Sequence, residues 1–335
     1  MRSNRTKGVL ALLLATLVWG TTFTAQRNAA GYLEAFTFNA IRNLIAAAVM
    51  TPLLIVRNKG RRKTGPAGEM PAADEANGKG KEAGKKMRSS GLSPQTKRTL
   101  LAGFLCGTAL TVASFFQQYG IEIYPAGVAA AGRAAFLTAT YVVMVALIAI
   151  VRGKRPHPMV IVAAVVCVAG MYLLCFAQGW SGLYLGDLME ILCAISFAVQ
   201  ILAVEHYADT PGLQLAVMQF LFCGLWSLVG ALLFDHPTRE GILGALPAIL
   251  FSALFSSCIG YTMQIYGQKR VEAPVASILM SFESVFAAIS GWILLSERMS
   301  AAQLTGCVLM FGALLLTQLP GLWSMRKSRK PEAEE

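Results

Sequence analysis

The sequence predicts an all-α integral membrane protein, with ten transmembrane helices arranged as two inverted five-helix repeats. Three observations predict it. Of the 335 residues, 55% are hydrophobic and only 14% are charged, against about 25% charge in a soluble domain; the mean hydropathy is +0.56. The apolar residues gather near 8–27, 34–56, 99–120, 125–150, 158–177, 185–205, 211–234, 242–267, 273–296 and 302–320, each close to the roughly 20 residues a helix needs to cross a bilayer. The chain also repeats itself. Residues 115–129 (FFQQYGIEIYPAGVA) align without a gap on 262–276 (TMQIYGQKRVEAPVA), and six of the fifteen positions are identical: Gln117/Gln264, Tyr119/Tyr266, Gly120/Gly267, Ala126/Ala273, Val128/Val275 and Ala129/Ala276.

Basic segments fix the direction of each span in turn. The N-terminus, 1–7, is short and basic and has no small-residue cleavage site after it, so the first span reads as a retained anchor. With that end inside, the segments on its side hold 24 of the 29 Lys and Arg, and the opposite loops hold only Arg27, Arg239 and Arg298. This is the positive-inside pattern with both termini cytoplasmic, and it requires an even number of spans. The long inside loop, 57–98, carries twelve basic and four acidic residues among Gly, Ala, Lys and Pro. It cannot bury a core and is expected to be disordered. It is a topogenic linker, or one that touches anionic lipid headgroups. Outside it little of the net charge of +11 remains, so nucleic acid is not an expected partner.

The repeat extends to 8–23 against 186–201, 126–151 against 273–298, and 158–177 against 302–320. The expected units are therefore 8–177 and 185–320, followed by a cytoplasmic tail at 321–335. Five spans per unit is an odd number, so the copies are inverted, and a substrate site is expected near the midplane between them.

Pro125 and Pro274 mark expected helix starts, where proline forgoes no hydrogen bond. Pro52 sits near the cytoplasmic end of the second span, and Pro247 in the first turns of the eighth. Gly103 with Gly107, Ala126 with Ala130 and Ala134, and Ala287 with Gly291 form small-residue faces suited to close helix packing. All seven cysteines fall inside spans, at spacings that match no metal site.

Ionisable side chains inside a membrane are costly and face a cavity or a partner. Four stand well within the expected spans: Arg42, Arg133, Glu190 and Glu283. Arg42 and Arg133 are each about 12 Å deep, and Glu283 about 15 Å, at 1.5 Å per residue. Glu190 is shallower, near the outer interface. Arg133 and Glu283 hold nearly matching places in the repeat and are expected to lie close enough to couple. That pair is either a packing ion pair or a gate and anchor for a zwitterionic or anionic substrate. Gln117 and Gln264 are repeat-related amides, placed to bind a substrate from two sides or to bond across helices. Ser257, Tyr261 and Gln264 form one stripe, and Trp19 and Tyr141 are candidate aromatic walls.

The chain resembles the drug/metabolite transporter (DMT) superfamily and, within it, the EamA family. The first span has Trp19-Gly20-Thr21-Thr22-Phe23, similar to the family's WG-small-small-F pattern, and Arg42 stands where the family places an arginine. The ninth and tenth spans present Glu283, Gly291, Glu297, Gly306 and Gly312 in the family's order. Ser284 departs from the family's proline, which leaves the local kink without its usual cause. The long 57–98 loop is a second departure. The resemblance implies the EamA/DMT-type fold, a central cavity and movement of small metabolites, often export of amino acids or related compounds.

The three histidines lie in loops, and the chain contains no HExxH, P-loop or GxSxG motif. Neither catalysis nor a cofactor is expected. The expected activity is secondary, non-ATP transport of a small polar metabolite, more readily exported than imported, across the cell membrane. The candidate binding or gating residues are Trp19, Arg42, Gln117, Arg133, Tyr141, Tyr261, Gln264 and Glu283. The alternatives are a lipid-linked precursor flippase of the same fold and an integral membrane enzyme.

Overall fold

The computed structural model describes residues 2–63, 93–125, 128, 130–153, 157–176, 184–294, 300–302, 304–306, 308–313 and 316. The centre of the basic loop, the tail, Arg298, Glu297, Ala126, Ala129 and Cys307 lie outside the described residues. Among the described residues there is no strand. The helices are α1 (Arg2–Ala29), α2 (Ala35–Lys63), α3 (Pro94–Ile123), α4 (Ala130–Thr138), α5 (Tyr141–Val151), α6 (Pro158–Phe176), α7 (Leu185–His206), α8 (Gly212–Phe234), α9 (Arg239–Phe251), a π-helical segment Ser252–Tyr261, α10 (Thr262–Gln268), α11 (Ala273–Met280) and α12 (Glu283–Leu294). Among the described residues, eight helical stretches are long and apolar enough to cross a membrane: Asn4–Ala29, Ala35–Arg57, Pro94–Ile123, Ala130–Val151, Leu185–His206, Gly212–Phe234, Arg239–Gln268 and Ala273–Leu294. Two shorter apolar helices, Pro158–Gly170 and Leu304–Ala313, fall on the remaining expected spans.

Three of the long stretches are interrupted where the sequence predicts continuous helices. Residues 139–140 separate α4 from α5, and 281–282 separate α11 from α12. The third interruption is the π-helical segment between α9 and α10. Pro247 lies inside α9 rather than in its opening turns, so it removes one rung of the hydrogen-bond ladder and crowds the preceding turn. The winding loosens five residues later. Pro274 does sit in the first turn of α11, whereas Pro125 precedes an α4 that begins only at Ala130. The break before Glu283 exists without a proline at 284. Instead the Ser281 hydroxyl donates to the Ile278 carbonyl at 2.8 Å, and the Ser284 hydroxyl to the Ser281 carbonyl at 2.6 Å.

Lipid tails are as apolar as leucine, so helices in a membrane associate through close packing rather than through burial from water. Glycines supply that closeness. Gly103 and Gly107 of α3 lie against Met218 and Phe222 of α8; a Cβ at Gly107 would sit 2.7 Å from that of Phe222. Two crossings are built from glycine on both sides. A Cβ at Gly186 of α7 would lie 2.9 Å from the Gly120 carbonyl of α3, and one at Gly267 of α10 would lie 3.0 Å from the Gly8 carbonyl of α1.

Contacts sort the helix ends into two groups. At one end Arg98 pairs with Asp209 at 3.0 Å, Lys269 donates to the Thr210 carbonyl, and the Ala273 amide donates to Glu205 Oε1 at 3.2 Å. Gly8 lies against Arg270 there. At the other end Arg27 donates to the Ile121 carbonyl at 2.7 Å, the Thr37 amide to Asp235 Oδ2 at 2.6 Å, and the Tyr124 hydroxyl to Asp187 Oδ1 at 2.7 Å.

Candidate functional site

A cavity opens where α1, α2, α3, α5, α7, the π-helical segment, α10, α11 and α12 converge. It is lined by Trp19, Thr22, Phe23, Gln26, Arg42, Gln117, Tyr141, Phe197, Ile201, Ser256, Tyr261, Gln264, Met280 and Glu283. Its free volume is about 30 Å³, room for a few waters rather than a metabolite. Trp19, Phe23 and Gln26 recur at helical spacing and so share the inner face of α1.

The Trp19-Gly20 pair shows how local sequence builds the wall. Gly20 lets α1 lie directly on the second break, since a Cβ there would sit 2.7 Å from the Glu283 carbonyl and 2.8 Å from the Ala287 amide. Trp19 then reaches the π-helical segment, where its Nε1 donates to the Ser256 carbonyl at 3.3 Å and its ring lies 4.9 Å from that of Tyr261. Gly260 leaves the room the indole occupies. Ser256 and Tyr261 of this segment line the cavity, while the Ser257 hydroxyl donates to Asn43 Oδ1 at 3.5 Å.

Arg42 supplies the positive end. It is 2% exposed and lies 5.6 Å from the Phe38 ring centroid. Its Nη2 makes a long contact with Ser114 Oγ at 3.5 Å, and its Nε has no hydrogen-bond partner among the described residues. Neither of the ion pairs formed by the described residues involves it.

Glu283 supplies the acidic group. It is the first residue of α12 and is 5% exposed. The Tyr141 hydroxyl, on the first residue of α5, donates to its Oε1 at 3.1 Å. The two broken helices therefore meet at the cavity.

The repeat-related glutamines take matching roles. Gln26 Nε2 donates to Gln117 Oε1 at 3.1 Å, and Gln264 Nε2 donates to Gln200 Oε1 at 3.1 Å. Each is thus bonded to a glutamine of a neighbouring helix while facing the cavity.

Arg133 corrects the expected pairing. It does not couple to Glu283 and is not among the cavity-lining residues. Its Nε meets Asp187 Oδ1 at 2.5 Å and its Nη2 meets Asp187 Oδ2 at 2.6 Å, a bidentate pair between α4 and α7. The Tyr184 amide adds a bond to Asp187 Oδ2 at 2.9 Å, and the Tyr184 ring lies 4.9 Å from the guanidinium. Burial, together with Glu190 and Asp187, pushes the Tyr124 hydroxyl well above its usual range, so it remains a donor to Asp187. Asp187 is absent from the sequence reading; its signal was an acid three residues into an apolar run, the position that bonds a helix's own N-cap amide. Glu190, in the second turn of α7, is fully buried within the protein, and the Thr138 hydroxyl donates to its Oε2 at 2.7 Å.

Among the described residues no group of three or more His, Cys, Asp or Glu could hold a metal ion.

The sequence model of the EamA-like transporter family matches residues 6–72 and 184–319. An uncharacterized transporter of Archaeoglobus fulgidus is 25% identical over 316 residues, which cover 92% of this chain and 85% of that protein. Protein PecM of Dickeya dadantii is 26% identical over 149 residues, 44% of this chain and 50% of PecM. A solved crystal structure at 20% identity superposes with a TM-score of 0.67 over 94% of this chain and 97% of its own; that likeness shows the fold. The family match covers more than half of the chain and the archaeal relative nearly all of it, so the protein is a membrane transporter that belongs to the EamA-like transporter family.

Proposed function

We propose that the protein is a secondary transporter that exports a small polar metabolite, an amino acid or a related compound, by alternating access around the cavity at Arg42 and Glu283. One observation carries this reading. A buried guanidinium and a buried carboxyl, Arg42 without an ion-pair partner among the described residues and Glu283 held by one tyrosine hydroxyl, line a single space walled by Trp19, Tyr261 and Phe197. A zwitterion with an apolar side chain matches that wall. The guanidinium would take its carboxylate and Glu283 its ammonium, while the aromatic rings would cover the side chain. Gln117 and Gln264 are the amides that would set its orientation.

Alternating access requires two units of opposite direction. The units proposed are 8–177 and 185–320, with the basic loop at 57–98 outside both. Exchange of partners supports them. The glycine crossing of α3 with α7 corresponds, under the repeat, to that of α10 with α1. The contacts of α7 with α4 and α5 correspond to those of α1 with α11 and α12, and α2 packs on its own counterpart α8. Ten crossings are part of this reading. The stretch Ala130–Val151 starts beside Asp187 and is 22 residues long, and the chain is back beside Arg133 at the start of α7, which favours a ninth crossing at Pro158–Gly170; Leu304–Ala313 is the proposed tenth. The basic ends are taken as cytoplasmic, with the long loop near anionic lipid.

The test is a thermal-shift screen of the purified protein against amino acids, nucleosides and vitamins, since a ligand that binds the native state raises its stability. Uptake of the best ligand into inside-out vesicles follows. Stabilisation by zwitterions that is lost in Arg42→Ala and in Glu283→Gln is expected. Stabilisation that survives both substitutions would remove this cavity as the binding site.

A further inference from the structure

Helix α7 holds a buried carboxyl that the binding cavity does not use. Glu190 is 0% exposed. Its Oε2 accepts the Thr138 hydroxyl, and its Oε1 has no hydrogen-bond partner among the described residues. That oxygen lies against the bare backbone of Gly120, where a Cβ would come within 2.7 Å of it. Three acidic or hydroxyl groups face it from the elements packed around it. Asp187 stands one turn earlier on α7, Glu283 on α12, and the Tyr124 hydroxyl at the end of α3. The nearby cation, Arg133 of α4, already grips Asp187 with both Nε and Nη2. Cys193 lies one turn later, with its Sγ 3.7 Å from Thr138 Oγ1. A charged carboxylate in this setting is expensive to hold, whereas a neutral carboxyl is not.

A short path joins this group to the cavity. Thr138 Oγ1 lies 3.5 Å from Gln117 Nε2, and Gln117 is part of the cavity wall. One hydroxyl therefore separates Glu190 from the cavity edge.

We propose that Glu190 is a proton-exchanging site of the transporter, connected to the cavity through Thr138. On release, the Thr138 hydroxyl turns from Glu190 Oε2 toward water at the Gln117 edge, passes its own proton to that water and takes the carboxyl proton on Oγ1. This leaves a carboxylate on Glu190 and hydronium in that water, and uptake reverses both transfers. Within the carrier reading, on which its meaning rests, this proton is the coupling ion.

The test is infrared difference spectroscopy of the full chain in liposomes as pH is raised at constant salt. In the wild type a protonated-carboxyl C=O band is expected to fade with rising pH. Glu190→Gln should lack it, and Glu283→Gln should retain it. Thr138→Val keeps the carboxyl but removes its hydrogen bond, so the band should move to higher frequency and its downshift on transfer to D2O should slow. Wild-type-like spectra from Glu190→Gln overturn the proposal. So does a band lost only in Glu283→Gln, or one removed by added sodium at fixed pH. If Glu190→Gln does not fold, an unmoved band in Thr138→Val overturns it alone. The measurement needs no substrate, so its failure leaves the binding reading intact, and failure of the ligand screen leaves the proton site intact.

Discussion

The Tyr141 hydroxyl donates to Glu283 Oε1 at 3.1 Å, and each residue opens the second part of an interrupted span. The bond joins two helix breaks, one from each proposed half, beside the cavity. Tyr141→Phe keeps the ring, which is 3% exposed, and removes the donor from a buried carboxyl. We expect a loss of about 1–3 kcal/mol, read as a lower unfolding midpoint in detergent. Glu283→Gln should cost less, because its amide oxygen still accepts the bond. The double variant should be no worse than Tyr141→Phe alone. Additive losses would show that the contact does not couple the breaks.

Arg133 and Asp187 form the strongest polar tie between α4 and α7, with side chains 14% and 5% exposed. Removing one member of a buried pair strands the other, at about 3–5 kcal/mol, while replacing both with apolar residues is often neutral. Arg133→Ala and Asp187→Ala should each lower the thermal midpoint sharply. The double variant Arg133→Met with Asp187→Leu should recover most of that loss. A double variant as unstable as the sum of the singles would exclude the pairing.

These two bonds also mark where sequence reasoning reached and where it stopped. Trp19, Arg42, Gln117, Tyr141, Tyr261, Gln264 and Glu283 share one cavity. Each is legible as a repeat-related amide, a charge deep in a span, a candidate aromatic wall or, for Tyr261, a member of the Gln264 stripe. The repeat sets Arg133 against Glu283, but Arg133 precedes the break of its span at 139–140 whereas Glu283 follows the break of its own at 281–282. Asp187 is hidden from sequence reasoning because an acid in the first turn after a loop reads as interfacial. The π-helical segment has no compositional mark except Pro247, and a five-residue hydrogen-bond repeat is invisible to patterns built on 3.6 residues per turn. The membrane-spanning class is legible because composition and hydropathy act over the whole chain and do not depend on helix phase.

Arg42 separates a binding role from a stabilising one. It is buried, and its Nε has no partner among the described residues, so it is poorly compensated in the empty protein. Arg42→Ala should leave the unliganded thermal midpoint unchanged or raise it. The same substitution should weaken carboxylate ligands by about tenfold to a hundredfold, the range of a hydrogen bond to a charged group. Arg42→Lys should recover part of the affinity, since the charge remains but the planar fork is lost. A marked loss of stability in Arg42→Ala with ligand shifts preserved would make the residue a packing element.

The glycine crossings at opposite ends of the bundle should behave as separate closures. Gly186 meets Gly120 at the end that carries Asp187, and Gly267 meets Gly8 at the end that carries Arg270. A side chain at either crossing must push two backbones apart, and overpacking of this kind costs about 1–3 kcal/mol. Gly132→Ala is the control, since its added Cβ would meet nothing closer than 3.8 Å, and it should be close to neutral. If the two ends open in turn, Gly186→Leu should raise deuterium uptake in peptides around 120–124 and 184–190 and leave the opposite end protected. Gly267→Leu should do the reverse, raising uptake around 6–12 and 266–272. Hydrogen-exchange mass spectrometry of both variants reads this directly. Uptake rising at both ends in either variant would mean that the crossings close as one body, which rocking about a central site does not allow.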